Sequence, residues 1–344
     1  MKSILLFFGT IFCLHSHAQT FTSNTFKLQE LKKILDSSVV VGLGEVGHGF
    51  ESINETKAVL VGVLHSELNY EAIAFESSFT ESIVGFMKGG DLDARTKSFL
   101  YPFWNTPSVK KSLQSFFEKE KFSKPLIIGF DIQEDCRFNK LSEFLIDKNL
   151  ISINKGKLDE CDSILSYYIG KQYSRKSNLS NQEYLLLIQN YELIETEINA
   201  KELDSLRSKL VRRSITNRKW LCKYLTLSAA KEKMYYRDSL MAENVKWIQN
   251  ELYPTKKLII WAADSHIAKK VSNRDPLWMG EWLSWYFNYN YYSISFQKGT
   301  GDTSFIWPKT SYKLTNKPDE KFNLIIYLDR LKKIKDEEWR TPCD

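Results

Sequence analysis

Short, continuously apolar runs recur along the chain, and stretches with helical spacing separate them. Ser38-Val39-Val40-Val41-Gly42-Leu43, Ala72-Ile73-Ala74-Phe75, Leu126-Ile127-Ile128-Gly129-Phe130 and Leu258-Ile259-Ile260-Trp261-Ala262 are the clearest runs. Such segments predict strands covered on both faces, the pattern of a parallel sheet. Tyr291–Phe296 and Phe322–Tyr327 predict two further strands that close it, and Ile53–Leu68 and Ser108–Glu120 carry helical periodicity between strands. Strands alternating with helices specify a three-layer α/β/α fold with a mostly parallel central sheet.

The pattern changes over about 137–251. This stretch is long, polar and helix-prone, with Leu185, Ile188, Leu193, Ile194 and Ile198 at helical spacing and no strand-like run. It reads as a helical insertion between strands three and four, a wall or lid over the sheet. No internal repeat or low-complexity linker is present, so residues 19–344 read as one domain carrying that insertion.

The start of the chain stands apart. Met1-Lys2-Ser3, an apolar stretch from Ile4 to Leu14, and small residues at Ser16 and Ala18 predict a signal peptide cut after Ala18. The protein is therefore expected to be secreted or periplasmic. No later stretch reaches the roughly eighteen apolar residues of a membrane span. The net charge of +6 falls to +5 once Lys2 is removed, with 47 bases against 42 acids. Arg212-Arg213, Lys269-Lys270 and Lys332-Lys333 are dispersed, which argues against a nucleic-acid track. Cys136, Cys161, Cys222 and Cys343 match no zinc spacing, and export would permit a Cys136–Cys161 bridge.

Chemistry gathers at the strand ends. The first four strands run into Glu45, Glu76, Asp131, and Asp264 with His266. Ligands of open α/β sheets bind at the carboxyl ends of the strands. A single acid there can simply cap the next helix, but four acids converging need cations, shared protons or solvent. Of the five histidines, His15 and His17 leave with the signal peptide, and His65 lies inside a helix, where a surface or packing role is expected. His48 and His266 remain, each just past a strand end. A carboxylate three residues from His48, Glu45, would orient its ring for general-base work.

Several chemistries compete for these residues. Gly42-Leu43-Gly44-Glu45-Val46-Gly47 matches a dinucleotide-binding turn. Glu45, however, would put negative charge where a pyrophosphate should sit, and Glu76 lies further on than the usual ~20 residues. Glu45, His48, Glu76, Asp131 and His266 offer a mixed N/O set suited to Zn, Mn or Fe, although no fixed ligand spacing is present. No G-x-S-x-G elbow occurs, and Ser265 beside His266 has no identifiable base. Water activated by His48 needs the fewest assumptions.

An ordered set of motifs resembles the erythromycin esterase family. Gly44-Glu45-Val46-Gly47-His48-Gly49 fits its G-E-x-x-H-G, Ala72–Glu76 its strand ending in Glu, and Gly129-Phe130-Asp131-Ile132-Gln133 its G-F-D-x-Q. Arg237-Asp238-Ser239-Leu240-Met241-Ala242-Glu243-Asn244 is similar to R-D-x-x-M-A-x-N, and Trp261-Ala262-Ala263-Asp264-Ser265-His266 to W-A-H-N-x-H. Met279-Gly280 and the strand from Tyr291 to Phe296 fit later segments. The resemblance implies hydrolysis of an ester or macrolactone, a role in antibiotic response, a small-molecule ester or macrolide-like substrate, and no essential metal or cofactor. It implies His48 as the base, oriented by Glu45, with Glu76 and His266 in the same cleft and Arg237 and Glu243 beside it. Ala263 stands where the family has a histidine and Asp264 where it has asparagine, so this chain is expected to use a different partner or a different ester. The other readings of the same cluster are a metal-dependent hydrolase and a binding protein that retains the pocket without turnover.

Overall fold

A computed structural model describes residues 32–120, 124–134, 141–170, 178–200, 205–269, 278–298, 303–307, 310–315, 321–328 and 331–334. The expected signal peptide, residues 1–18, and Cys136 and Cys343 lie outside these residues. Eight strands form one sheet: β1 (Val40–Glu45), β2 (Tyr70–Ser78), β3 (Ile127–Asp131), β4 (Lys257–Trp261), β5 (Tyr291–Lys298), β6 (Thr303–Trp307), β7 (Thr310–Thr315) and β8 (Leu324–Leu328). Their order is β3-β2-β4-β1-β5-β8-β7-β6. The first six in this order pair in parallel, and β7 and β6 add an antiparallel hairpin at one edge.

Helices flank this sheet in an α/β/α arrangement: α1 (Glu51–Leu68), α2 (Phe79–Lys88), α3 (Leu92–Lys97) and α4 (Pro107–Glu120) lie among the first three strands. Between β3 and β4 come α5 (Leu141–Asp147), α6 (Lys155–Ile169), α7 (Asn181–Asn199), α8 (Ser205–Thr226) and α9 (Ala230–Trp247), the last running into a π-helical turn, Ile248–Leu252. The short α10 (Asp264–Ile267) and α11 (Met279–Phe287) follow β4. The expected parallel sheet and helical insertion are thus both present.

Two details differ from the sequence reading. The β6–β7 hairpin was not expected; Thr303-Ser304 and Thr310-Ser311 interrupt its apolar residues, so neither strand reads as a continuous apolar run, and β6 takes the sheet edge with β7 as its one partner. β2 also continues two residues beyond Glu76, with a register shift against β3 between Phe75 and Ser78. Gly129 permits this irregularity: a Cβ there would lie 2.2 Å from the Ser78 carbonyl oxygen.

All six residues of β1 are buried, and Leu258–Trp261 of β4 beside it are buried too. Each buried Val, Leu or Ile among them contributes about 1.5–3 kcal/mol on leaving water. From β1 the chain passes to β2 and β3 on one side, returns as β4 beside β1, and then crosses to β5 on the other side. The crevice of an open sheet lies at such a reversal, at the carboxyl ends of the strands.

The insertion builds its own core, in which Leu158, Leu165, Leu187, Tyr191, Ile194, Ile198, Ile215 and Leu225 pack together. On α7 the inward face is Leu187, Tyr191, Ile194 and Ile198, whereas Leu185 and Leu193 are exposed. That face follows the i, i+4, i+7, i+11 spacing, and a list of all apolar positions blurs it. Buried Arg218 of α8 reaches Glu134, just past β3, at 2.8 Å and Asp162 of α6 at 3.6 Å, which fastens the insertion to the sheet domain. Cys161 and Cys222 are buried in this core as free thiols.

Candidate active site

β1 ends in a turn that turns back into α1 within five residues. Gly49 takes φ 82°, a conformation that glycine adopts without steric cost. Gly44 serves close packing: a Cβ there would lie 2.2 Å from Oδ1 of Asp264 and 2.7 Å from Cδ1 of Ile267. A Cβ on Gly42 would lie 2.9 Å from the Tyr291 hydroxyl oxygen. The first two glycines of the dinucleotide-like motif therefore admit α10 and Tyr291 against the strand.

Glu45 closes β1 and is buried. Its Oε1 lies 2.7 Å from Nδ1 of His48 and accepts the indole N–H of Trp104 at 2.8 Å. Its Oε2 accepts from the Lys57 ammonium at 2.9 Å. Lys57, fully buried on α1, also lies 3.4 Å from the Ala262 carbonyl and 4.3 Å from the centre of the Trp261 ring. Burial alone would raise the Glu45 pKa; Lys57 and His48 outweigh it and hold the carboxyl below its ordinary value. Burial pushes the Lys57 pKa down, and Glu45 only partly opposes this.

In the neutral form of His48, an ionised Glu45 selects the tautomer in which Nδ1 carries the proton and donates it while Nε2 presents its lone pair. The ring stacks on Phe103 with centroids 4.5 Å apart, and Trp104 meets it edge-on at 5.4 Å. The side chain remains 36% exposed, so water reaches the imidazole.

A second cluster sits at the ends of β2, β3 and β4. Arg237 of α9 donates Nε–H to Asp131 at 3.0 Å and Nη2–H to Glu76 at 2.9 Å. Glu76 Oε2 accepts the backbone N–H of Ala263 at 2.9 Å. His266 lies between two carboxylates, with Nε2 3.2 Å from Glu76 and Nδ1 2.9 Å from Asp238. Burial would lower the His266 pKa, but Glu76 and Asp238 raise it to about 10. His266 is therefore an imidazolium at neutral pH, and its 3.5 Å approach to Nη1 of Arg237 is a contact between two donors.

Burial works against the charge on Glu76 as well. His266 and Arg237 overcome it and hold the carboxyl well below the usual range, with a smaller contribution from His48. Arg237 in turn is raised by Asp131 and Glu76 against its own desolvation. The two clusters are electrostatically in touch, since His48 acts on Glu76 and Glu76 acts on Lys57.

The tertiary structure therefore brings Glu45 to His48 and joins Glu76, Asp131, Arg237 and His266 in one ion-pair network. It places Asp264 behind β1, where Oδ2 accepts the Ser295 hydroxyl at 2.7 Å and Oδ1 is buried without a hydrogen-bond partner. Burial raises the Asp264 pKa to about 6. Glu243 is the exception. Six residues beyond Arg237 on α9, it accepts from the Tyr286 hydroxyl and lies 3.6 Å from Lys246, 40% exposed. It is not site-proximal, because six residues turn a helix well away from a shared face.

Lys57, Trp104 and Phe103 complete the site without a sequence signal of their own, and Asp238, the second residue of the R-D motif, joins it through His266. A lysine within an amphipathic helix reads as a solvated position, and only its burial reveals the pairing. His65 fills the packing role expected of it, with Nδ1 2.7 Å from the Tyr70 carbonyl and its ring against Phe116. The mixed ligand set does not gather around a single point. The carboxylate oxygens of Glu45, Glu76 and Asp131 already take N–H donors, and among the described residues no group of three or more His, Cys, Asp or Glu is disposed to hold a metal ion.

Comparison with known proteins agrees with the motifs. The sequence profile of the family described as erythromycin esterase matches residues 65–318. A Bacillus subtilis (strain 168) protein named "Putative hydrolase YbfO" is 27% identical over 292 residues, 77% of this chain. The chain spans 65% of the length of that relative. Among solved structures, a mutant of the erythromycin esterase EreC in its open conformation superposes with a TM-score of 0.61 at 17% identity, covering 92% of this chain and 96% of that one. A succinoglycan biosynthesis protein gives a TM-score of 0.64 at 17% identity, covering 88% and 91%. The extent of the profile match, taken with the strand-end motifs in their expected order, establishes that this chain belongs to the erythromycin esterase family.

Proposed function

We propose that this protein is a hydrolase of carboxylic esters in which His48 activates water. The observation that carries the reading is the 2.7 Å contact between Nδ1 of a solvent-accessible His48 and a buried, ionised Glu45. Nε2 takes a proton from water as the oxygen attacks the ester carbonyl carbon. Arg237 commits Nε and Nη2 to carboxylates, which leaves Nη1 as its donor for the developing oxyanion. When the tetrahedral intermediate collapses, the C–O bond breaks and His48 returns its proton to the leaving alkoxide. Glu76, Asp131 and His266 hold Arg237 in place and balance its charge.

The natural ester is a small molecule, and the family makes a macrolactone one candidate class. The methyl group of Ala263 stands where family members have a histidine ring, so this chain uses either a different partner for that step or a different ester. We further propose that the protein works outside the cytoplasm, on the strength of the three-part pattern from Met1 to Ala18.

A panel of aryl esters, lactones and macrolides tests the reading, with products followed by mass spectrometry. Hydrolysis of at least one member, lost in His48→Ala, is the expected result. Turnover that survives His48→Ala overturns the mechanism, and a ligand bound and released unchanged identifies a binding protein instead. Full activity in a sample freed of metal by chelation is also expected; activity restored only by a metal ion favours metal-dependent hydrolysis.

A further inference from the structure

A short aromatic segment, Tyr101-Pro102-Phe103-Trp104-Asn105, lies in the connection between α3 and α4 and packs against Glu45 and His48. It turns tightly, because the N–H groups of Trp104 and Asn105 both donate to the Tyr101 carbonyl, at 2.9 and 3.0 Å. The buried Asn54 side chain of α1 donates to the Phe103 carbonyl at 2.6 Å. Asn54 and Lys57 are three residues apart and share a face of α1, so one helix surface holds both this segment and the Glu45 carboxylate.

Consecutive residues of the segment meet the two members of the dyad. Trp104, fully buried, donates its indole N–H to Oε1 of Glu45, the same oxygen that faces Nδ1 of His48. With Lys57 on Oε2, the carboxylate cannot rotate without breaking a hydrogen bond. Phe103 stacks on the His48 ring with the planes 20° apart, and Tyr101 stacks on Phe103 at 5.3 Å and 11°. Trp104 stands edge-on to both His48 and Phe103, at 86° and 74°. The torsion that turns an imidazole about its Cβ–Cγ bond is intrinsically broad. Here such a turn drives a ring edge into the face of Phe103.

We propose that Phe103 and Trp104 are positioning residues for the hydrolysis: Phe103 fixes the plane of the His48 ring, and Trp104 fixes the carboxylate oxygen to which that ring donates. Nε2 is thereby held in line for the attacking water. The effect on rate rests on the ester-hydrolase reading, whereas the restraint on the ring stands on the contacts alone. Two observations set the pair apart from ordinary core packing. Phe103 and His48 are both only partly buried, so their stack is not a by-product of filling the interior. Trp261 of β4, buried in the same core, leaves its indole N–H without a hydrogen-bond partner, whereas Trp104 directs its own at Glu45.

The test reads the ring without an ester. The full chain is made with isotope-labelled histidine, and the His48 ring signals are assigned in NMR spectra by their loss in His48→Ala. The Nδ1 proton is expected to exchange with water about tenfold faster in Phe103→Leu and in Trp104→Phe, as the ring or the carboxylate swings out of line. For an ester that the protein hydrolyses, kcat should fall roughly ten- to a hundredfold in both variants while KM stays within about twofold. Phe103→Tyr keeps the ring face and should recover most of the loss. Phe103→Met replaces Phe103→Leu should the latter fail to fold. Exchange at the wild-type rate in both folded variants overturns the proposal, as does a loss of activity carried by KM. Faster exchange in a protein that turns over no ester would keep the restraint and sink the hydrolase reading. Unchanged exchange beside His48-dependent turnover would do the reverse.

Discussion

Lys57 places its ammonium nitrogen 2.9 Å from Oε2 of Glu45, with both side chains shut away from solvent. A pair taken this far out of water is stable only while both partners are present. Lys57→Met leaves the Glu45 carboxylate buried without its counter-charge, and a loss of about 3 kcal/mol is expected. Denaturant unfolding measures it. Adding Glu45→Gln should recover part of the loss, whereas additive penalties would show that the two residues do not act as a pair.

His48 should behave in the opposite way. Its ring is partly exposed and rests on Phe103, so His48→Ala should change stability by less than about 1 kcal/mol. Ester turnover should fall about a hundred- to ten-thousand-fold, the usual worth of a general base. Parallel melting curves and initial rates check both halves of the expectation.

The charge on His266 makes stability depend on alkaline pH. Its pKa in the folded protein is about 10, against about 6.5 in an unfolded chain. A raised pKa stabilises the fold fully below the lower value, and that stabilisation is lost as pH rises through the higher one. Between those limits the wild type should therefore lose stability relative to His266→Gln. Melting temperatures of the two proteins at closely spaced pH values test this; parallel curves would mean that His266 is neutral in the fold.

Asp264 imposes a similar slope at acid pH. Burial raises its pKa from 3.8 to about 6, so the fold favours the protonated acid. Stability from this group is full below the lower value and declines as pH climbs to the upper one. Asp264→Asn cannot ionise and should remove the decline. A wild type and variant with the same acid-side profile would refute the assignment.

Gly44 is a packing position. Gly44→Ala would drive a methyl into Asp264 and Ile267, and overpacking of this kind costs about 1–3 kcal/mol. Gly47→Ala meets only Phe50 at 3.6 Å and serves as the control. Denaturation midpoints of the two variants should separate clearly.

Much of this molecule was legible in the amino-acid order. Runs such as Val39–Leu43 and Leu258–Ala262 have one stable solution, a strand covered on both sides, and alternation with helices leads to a parallel sheet. That topology alone carries Glu45, Glu76, Asp131 and Asp264 to one edge, because parallel strands all end on the same side. Glu45 and His48 are also close enough in sequence for a single turn to join them.

The tertiary structure decided how the charges are shared. Lys57 lies twelve residues from Glu45 and Arg237 more than a hundred from Asp131, and no periodicity relates them. Their partnerships arise from packing α1 and α9 onto the strand ends, where burial makes an unpaired charge too costly to keep. The same packing turned Glu243 outward and set Asp264 behind the strand. Local pattern specifies what each segment becomes; which side chains meet across segments depends on the shape of the space they close, and that exists only once the chain has folded.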